Sequence, residues 1–285
     1  MIPQIDENAA YHADTSRISK SGLDLIAQSP AHYYAKYLDP NREPQQPTKA
    51  LIAGSVSHMT LFEPHLLRDR YFILDDAAKI REIGGASPRS TTRYKEWKAE
   101  QLEANAGKQE ITLEAWKATN RMIENVQAHP AAKILLQAGK AEERMDWLWQ
   151  GVDEDGNPIA ARCKIKPDWQ SHNDFIVDLK TTEDASPNGF LRSVYKYRYH
   201  VQSAFYIDGY TAIHGAAPRG FIFMAVEKSP PYAVALYFAT PEMIEAGRRA
   251  YERDLQTYSR CLRDENWPAY STQVMPLGLP AWYKD

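Results

Sequence analysis

Residues 163–182 read CKIKPDWQSHNDFIVDLKTT. Within it, DFIVDLK (Asp174 to Lys180) is a compact apolar run closing on polar groups, the pattern of a strand that delivers chemistry at its end. Asp178 and Lys180 lie two apart, so alternation along a strand sends both side chains to one face. Asp168 follows the preceding predicted strand and can come alongside them through the short intervening turn. Two carboxylates brought together repel one another unless a cation lies between them. Oxygen ligands of this kind suit Mg²⁺ or Mn²⁺, ions that also bind phosphate. The ammonium of Lys180 beside them can stabilise an anionic pentacovalent phosphate or help position a water molecule.

Outward from this stretch, ERMDWLWQGV (from Glu143) is strand-like, Asp153 to Asn157 is a strong turn signal, and Pro158 to Lys166 reads as the returning strand of a hairpin. A helical region follows from about Pro187 to His214, with a break near Tyr197. GFIFMAVEK and YAVALYFA are two more strands, and a long helix runs from Pro241 to about Arg263. The second half is therefore β-β-β-α-β-β-α. The first half is mainly helical. A helix opens at Ser19 to Ser21, with either serine as its cap, and Pro30 introduces the aromatic segment AHYYAKYL. Lys49 to Phe62 reads as a helix stopped before Pro64, and Tyr71 to Leu74 as a short strand. Asp75 to Arg93 reads as a flexible polar loop. Helices are expected over Thr91–Ala106, Thr112–Gln127 and Ala131–Ala138. There is no internal repeat and no clear linker, so residues 1–285 are read as one domain, with 1–140 mainly helical and 141–285 carrying the sheet.

The chain has 285 residues, 44% of them hydrophobic and 25% charged, the balance of an ordinary globular protein. Only Cys163 and Cys261 are present, too few to hold an Fe–S cluster or a four-thiolate zinc site, so a reduced cytoplasmic setting is expected. No apolar stretch approaches the roughly 18 residues of a membrane span, and none resembles a signal peptide, so no membrane partner is expected. A net charge of −3 argues against indiscriminate coating of phosphate, yet leaves room for a local basic path. The phosphate-binding sequence G-x-x-x-x-G-K-[ST] does not occur, so no ATP is expected.

Pro167-Asp168 followed by Asp178-Leu179-Lys180 resembles the PD-(D/E)XK nuclease motif. Gln202 to Tyr206 (QSAFY) looks like the QxxxY helix of the lambda-exonuclease and RecB-like branches, and His58 in Gly54-Ser55-Val56-Ser57-His58 resembles their upstream helix histidine. More narrowly, YHADTSRISKSGLDLIAQSPAHYY, GSVSHMTLFEP and the terminal WPAYS…LPAWY are similar to the exonuclease VIII (RecE-type) nuclease domain, a likeness spanning nearly the whole chain. The resemblance implies an α/β restriction-endonuclease-like core, a central mixed sheet flanked by helices, below a mainly helical N-terminal half. It further implies Mg²⁺-dependent (or Mn²⁺-dependent) 5′→3′ digestion of linear duplex DNA, leaving 3′ single-stranded tails for phage-type recombination. Double-stranded DNA ends, a single-strand annealing protein and a toroidal homo-oligomer, with four subunits as the expected count, are the implied partners. Carried over position by position, Asp168 and Asp178 become metal ligands, joined by the Leu179 carbonyl and His58. Lys180 becomes the catalytic lysine, with Gln202 and Tyr206 orienting it, water or the DNA backbone. Glu143 resembles an acidic position common in this branch.

Taken singly, each feature has an ordinary reading. A D-x-K tripeptide often just ends an exposed strand, a helix histidine more often packs than ligates, Gln202 could bridge helices, and Tyr206 could be a core aromatic. Basic residues cluster at Arg89 and Arg93, in or after the polar loop, and at Arg192, Lys196 and Arg198, interleaved with Tyr195, Tyr197 and Tyr199. Most read as solvated helix faces; the functional reading is phosphate contact with stacking on unpaired bases. Trp267, Tyr270, Trp282 and Tyr283 are expected to pack on the domain or on a neighbouring subunit. Two other functions remain open on the same core: an endonuclease or flap nuclease, and an inactive DNA-end-binding protein.

Overall fold

The computed structural model of the protein describes residues 7–43 and 48–279. Among these, nine strands occur: β1 (Tyr71–Leu74), β2 (Gln109–Thr112), β3 (Gly139–Ala141), β4 (Met145–Val152), β5 (Pro158–Ile165), β6 (Trp169–Ser171), β7 (Phe175–Thr182), β8 (Gly220–Glu227) and β9 (Val234–Phe238). The central mixed sheet has the order β3-β6-β7-β8-β9, and only β7 and β8 run parallel within it. Parallel neighbours need a crossover connection. The helices Pro187–Lys196 and Tyr199–His214 supply it.

Alternation along β7 decides what each face of the sheet holds. Val177 and Leu179 point into one apolar cluster with Met122, Ile123 and Val126 of the helix Leu113–Ala128. Ile176 faces the larger cluster, beneath the helices Tyr199–His214 and Pro241–Asp264, with Phe205, Phe223 and Leu255. Each fully buried side chain of this kind contributes about 1.5–3 kcal/mol relative to exposure. The sheet is thus covered by helices on both faces, as expected of the α/β class.

Helix starts follow the chain's Ser and Thr residues. Thr48, Thr91, Thr112, Ser186 and Thr240 each accept a hydrogen bond from the N–H three residues on, capping an otherwise unpaired donor. Ser19 occupies the same position before the helix Lys20–Gln28, but its hydroxyl pairs with that of Ser21 instead. The helix Lys49–Phe62 has the expected bounds. None of the described helices is long and apolar enough to cross a membrane.

Two expectations are corrected. Residues 75–93 are not simply a loop: they hold the helix Ala77–Ile83, and the Asp76 carboxylate accepts hydrogen bonds from the Arg89 guanidinium and, at 2.5 Å, from the Tyr94 hydroxyl. The hairpin β4–β5 pairs along its full length but stands as its own two-stranded sheet, so it does not precede β7 within the central one. The strands that do are the three-residue β3 and β6, too short to leave a periodic signal. Of the C-terminal aromatics, Trp267 packs within the chain, stacked on Tyr33 at 5.6 Å and 15°, while Tyr270 is 73% exposed. Trp282 and Tyr283 lie outside the described residues.

Candidate active site

Asp178 and Lys180 project from β7 on the face opposite Val177 and Leu179, beneath the start of the helix Tyr199–His214. Gln202 on that helix donates from Nε2 to Asp178 Oδ2 at 2.6 Å. The other oxygen, Oδ1, lies against the Lys180 ammonium. It is buried and accepts no hydrogen bond of acceptable geometry. The Lys180 ammonium is also held over the Tyr199 ring, 4.7 Å from its centroid.

Asp168 sits between β5 and β6 and reaches β7 edge-on: its Oδ2 accepts the Leu179 N–H at 2.8 Å. A strand residue's N–H and C=O leave on the same side, so the Leu179 carbonyl faces the same gap. The same Oδ2 lies 3.0 Å from His58 Nδ1. His58 is brought there by the helix Lys49–Phe62, whose Phe62 stacks on Trp169, the neighbour of Asp168, at 6.0 Å and 22°. A third acid joins this pair. Glu142 has a left-handed backbone (φ 52°), and its N–H donates to the Asp168 carbonyl. Ligand atoms of His58, Glu142 and Asp168 all lie within 4.8 Å of one another. Lys166 balances Glu142 with an ion pair of 2.8 Å. His58, Glu142 and Asp168 open onto a cleft of about 550 Å³ that Tyr199 and Tyr206 also line.

Crowding of like charge perturbs each group. Burial pushes both aspartates up; Asp168 nevertheless ends below the ordinary range, because His58, Lys180 and the Leu179 N–H favour its anion. Asp178, buried and repelled by Asp168, is pushed up to about 6. Burial and the same repulsion push Glu142 up to about 7. Burial pulls His58 down, but attraction to Asp168 and their hydrogen bond prevail and raise it to about 9. Burial likewise lowers Lys180, and Asp178 with Asp168 more than reverses it. Asp178 and Glu142 are thus raised while Asp168 beside them is lowered, the kind of perturbation that clusters at functional sites.

The sequence profile of the PDDEXK-like domain of unknown function (DUF3799) matches residues 19–276. The chain belongs to the PDDEXK-like family. A protein from Eubacterium rectale, provisionally named an exonuclease, superposes with a TM-score of 0.62 at 16% identity, over 98% of this chain and 97% of that one. At that identity the match speaks for the fold alone. A phage-related exonuclease from Haemophilus somnus 129PT is 12% identical over 70% of this chain and 99% of its own, with a TM-score of 0.33 that carries no weight. Among curated proteins nothing matches.

Against this PDDEXK-like frame, the structure brings Asp168, Asp178, Lys180, His58 and Gln202 together, with Tyr206 on the cleft wall. Burial and the nearby carboxylates raise the Tyr206 hydroxyl well above its ordinary range. Glu143 has its carboxylate tied to Lys140 and Gln170, while the carboxylate of its left-handed neighbour Glu142 is the one beside Asp168 and His58. Arg198 also adopts φ 52°, and its guanidinium is bound within the fold to Asp24, Asp254 and the Leu23 carbonyl. Arg89 and Arg93 are more than 60% exposed but paired with Asp76 and Glu82, so they do not ride on a free loop. Arg192 and Lys196 lie on the helix Pro187–Lys196, and Lys196 sits over the Tyr197 ring. Sequence reading missed Glu142 and Lys166 altogether. The adjacent Glu142-Glu143 pair was the available signal, one residue out of register.

Proposed function

We propose that this chain is a divalent-cation-dependent DNA nuclease that degrades linear duplex from its ends, 5′→3′, and leaves 3′ single-stranded tails for recombination. One observation carries the hydrolytic part: Asp178 and Lys180 are buried directly behind Asp168, which opens onto the cleft with His58 and Glu142, and Asp178 Oδ1 has no aligned donor. The finer parts (end-dependence, polarity, a ring-shaped oligomer, an annealing partner and a cytoplasmic setting) draw their support from the RecE-like sequence segments.

The donor set fits a small hard cation. Carboxylates of Asp168, Asp178 and Glu142, the Leu179 carbonyl and an imidazole nitrogen of His58 are the groups that would hold Mg²⁺ or Mn²⁺. When bound, such an ion polarises a phosphoryl oxygen and acidifies water. The chain's own groups do the rest. The Lys180 ammonium, behind Asp168 and against Asp178, would offset the charge that develops on the phosphoryl oxygens. Gln202 pins Asp178 Oδ2, leaving Oδ1 against the Lys180 ammonium. The Tyr199 ring limits the swing of the lysine stem.

Linear duplex labelled at one 5′ end, with and without Mg²⁺, tests the proposal alongside a covalently closed circle of the same sequence. Release of labelled mononucleotides from the linear substrate only, and only with Mg²⁺, is expected. Nicking of the circle would instead indicate an endonuclease, and intact DNA in every lane would leave an inactive end-binding protein.

A second expectation concerns protons. With His58 raised to about 9, Glu142 to about 7 and Asp178 to about 6, the cation-free centre holds protons near neutral pH that a cation must expel. Raising the pH removes that competition, so cation affinity rises with pH. Calorimetry with Mn²⁺ between about pH 6 and pH 8 should show Kd falling by roughly tenfold per unit for each proton released. The binding enthalpy should also depend on the ionisation enthalpy of the buffer. A Kd flat over that range would mean that these groups are not the ligands.

A further inference from the structure

Tyr199 opens the helix Tyr199–His214 and lies against Phe223 of β8, centroids 5.8 Å apart at 25°. Its ring carries the Lys180 ammonium at 4.7 Å. Tyr197 stacks on Tyr199 in turn, at 5.7 Å and 28°, and both rings line the cleft that holds Asp168 and His58. A stack of aromatic faces therefore runs from the central sheet, past the lysine, to the cleft mouth. Its outermost ring, Tyr197, is 48% exposed.

A lone exposed tyrosine needs no explanation. This one is displayed from a backbone pinned on several sides. Its carbonyl accepts the Lys20 ammonium at 2.6 Å, and the next residue, Arg198, is clamped to Asp24, Asp254 and the Leu23 carbonyl. The backbone that displays the ring is thus held, and the ring itself rests on Tyr199. A cation rides over it: Lys196 Nζ lies over the Tyr197 ring, 5.1 Å from the centroid, at the end of the flexible lysine stem, with Arg192 one turn earlier on the same helix. An aromatic face whose covering lysine can swing aside to a phosphate, with a phosphate-directed centre behind it, matches a nucleotide. Within a duplex the base faces are covered by their neighbours, so only an unpaired base can offer one.

We infer that Tyr197, stacked on Tyr199, is a stacking subsite for an unpaired nucleobase of the strand lying in the cleft, and that frayed or single-stranded ends are bound ahead of fully paired ones. The inference rests on the nuclease reading for the occupant's identity, but it is tested by binding alone. Anisotropy of a labelled short oligothymidylate, in Ca²⁺ and with the DNA verified intact, compares the wild type with Tyr197→Ala, Tyr197→Phe and Tyr195→Ala. Tyr195 serves as the control because it is more exposed, at 83%, on the same segment. Tyr197→Ala should weaken binding about tenfold, in the range of one lost base–aromatic stack. Tyr197→Phe keeps the face and should stay within about twofold of the wild type, as should Tyr195→Ala. Because stacking is not an ion pair, the tenfold ratio should persist as salt rises. Affinity of Tyr197→Ala equal to the wild type, or an equal loss in Tyr195→Ala, overturns the subsite. Cleavage of the same oligonucleotide in Mg²⁺ keeps the two readings apart. Tyr197-dependent binding by a wild type that cuts nothing sinks the nuclease and spares the subsite; cutting with Tyr197-independent binding does the reverse.

Discussion

Lys180→Met should reduce DNA cleavage by about 10³-fold, roughly 4 kcal/mol of transition-state stabilisation, while leaving the protein folded and its DNA binding largely intact. The size follows from where the ammonium sits. It is mostly buried, held between Asp178 and the Tyr199 ring, in surroundings where a charge acts more strongly than in water. Methionine preserves most of the stem's volume, so packing is little disturbed. The same substitution makes an opposite prediction for the cation. Lys180 neutralises Asp178 in the cation-free protein and competes for its carboxylate, so removing it should hold or tighten Mn²⁺ affinity. Loss of cleavage with retained or tighter cation binding is the expected signature, read by single-turnover cleavage and calorimetry on one preparation. Cleavage within tenfold of the wild type would remove Lys180 from the mechanism, and parallel loss of cation binding would show that it holds the site together instead.

The parts of the structure that were legible beforehand are those written in local chemistry. β7 could be read because period-two alternation splits Val177 and Leu179 from Asp178 and Lys180, and the core on both faces respects that split. The helix Lys49–Phe62 could be bounded because Thr48 caps it and Pro64 stops it. What escaped reading depends on partners distant in the chain. β3 and β6 are three residues each and exist because β7 offers an edge to β6 and β6 in turn offers one to β3. The β4–β5 hairpin announces itself through its Asp153–Asn157 turn, but nothing local says that it stays out of the central sheet. Glu142 went unread, and Arg198 could be placed only within a basic cluster; both adopt a left-handed backbone, which neither residue type favours and no local pattern announces. Polar composition also concealed the helix Ala77–Ile83, which tertiary contacts through Asp76, Arg89 and Tyr94 help to hold in place.

Gly247→Ala should destabilise the protein by about 2–3 kcal/mol, a fall of roughly 5–10 °C in Tm, although alanine is the better helix former. Gly247 lies within the helix Pro241–Asp264 where that helix crosses Tyr199–His214. A Cβ there would come within 1.9 Å of the His200 carbonyl oxygen, 2.6 Å of its carbon and 3.0 Å of the Ala204 methyl. The first two atoms are backbone and cannot rotate away, so the helices must separate, which outweighs the roughly 1 kcal/mol gained in helix propensity. The displaced segment is the one that presents Gln202 to Asp178 and Tyr199 to Lys180. Cleavage should therefore fall even at temperatures where the variant remains folded. Gly54→Ala is the matched control: it too is a helix-interior glycine, but nothing lies within 4 Å of its Cβ position, so its Tm should hold or rise. If thermal melting placed Gly247→Ala at or above the wild type, the close crossing of these helices would be wrong. The account of how the second of them orients the active centre would then lose its support.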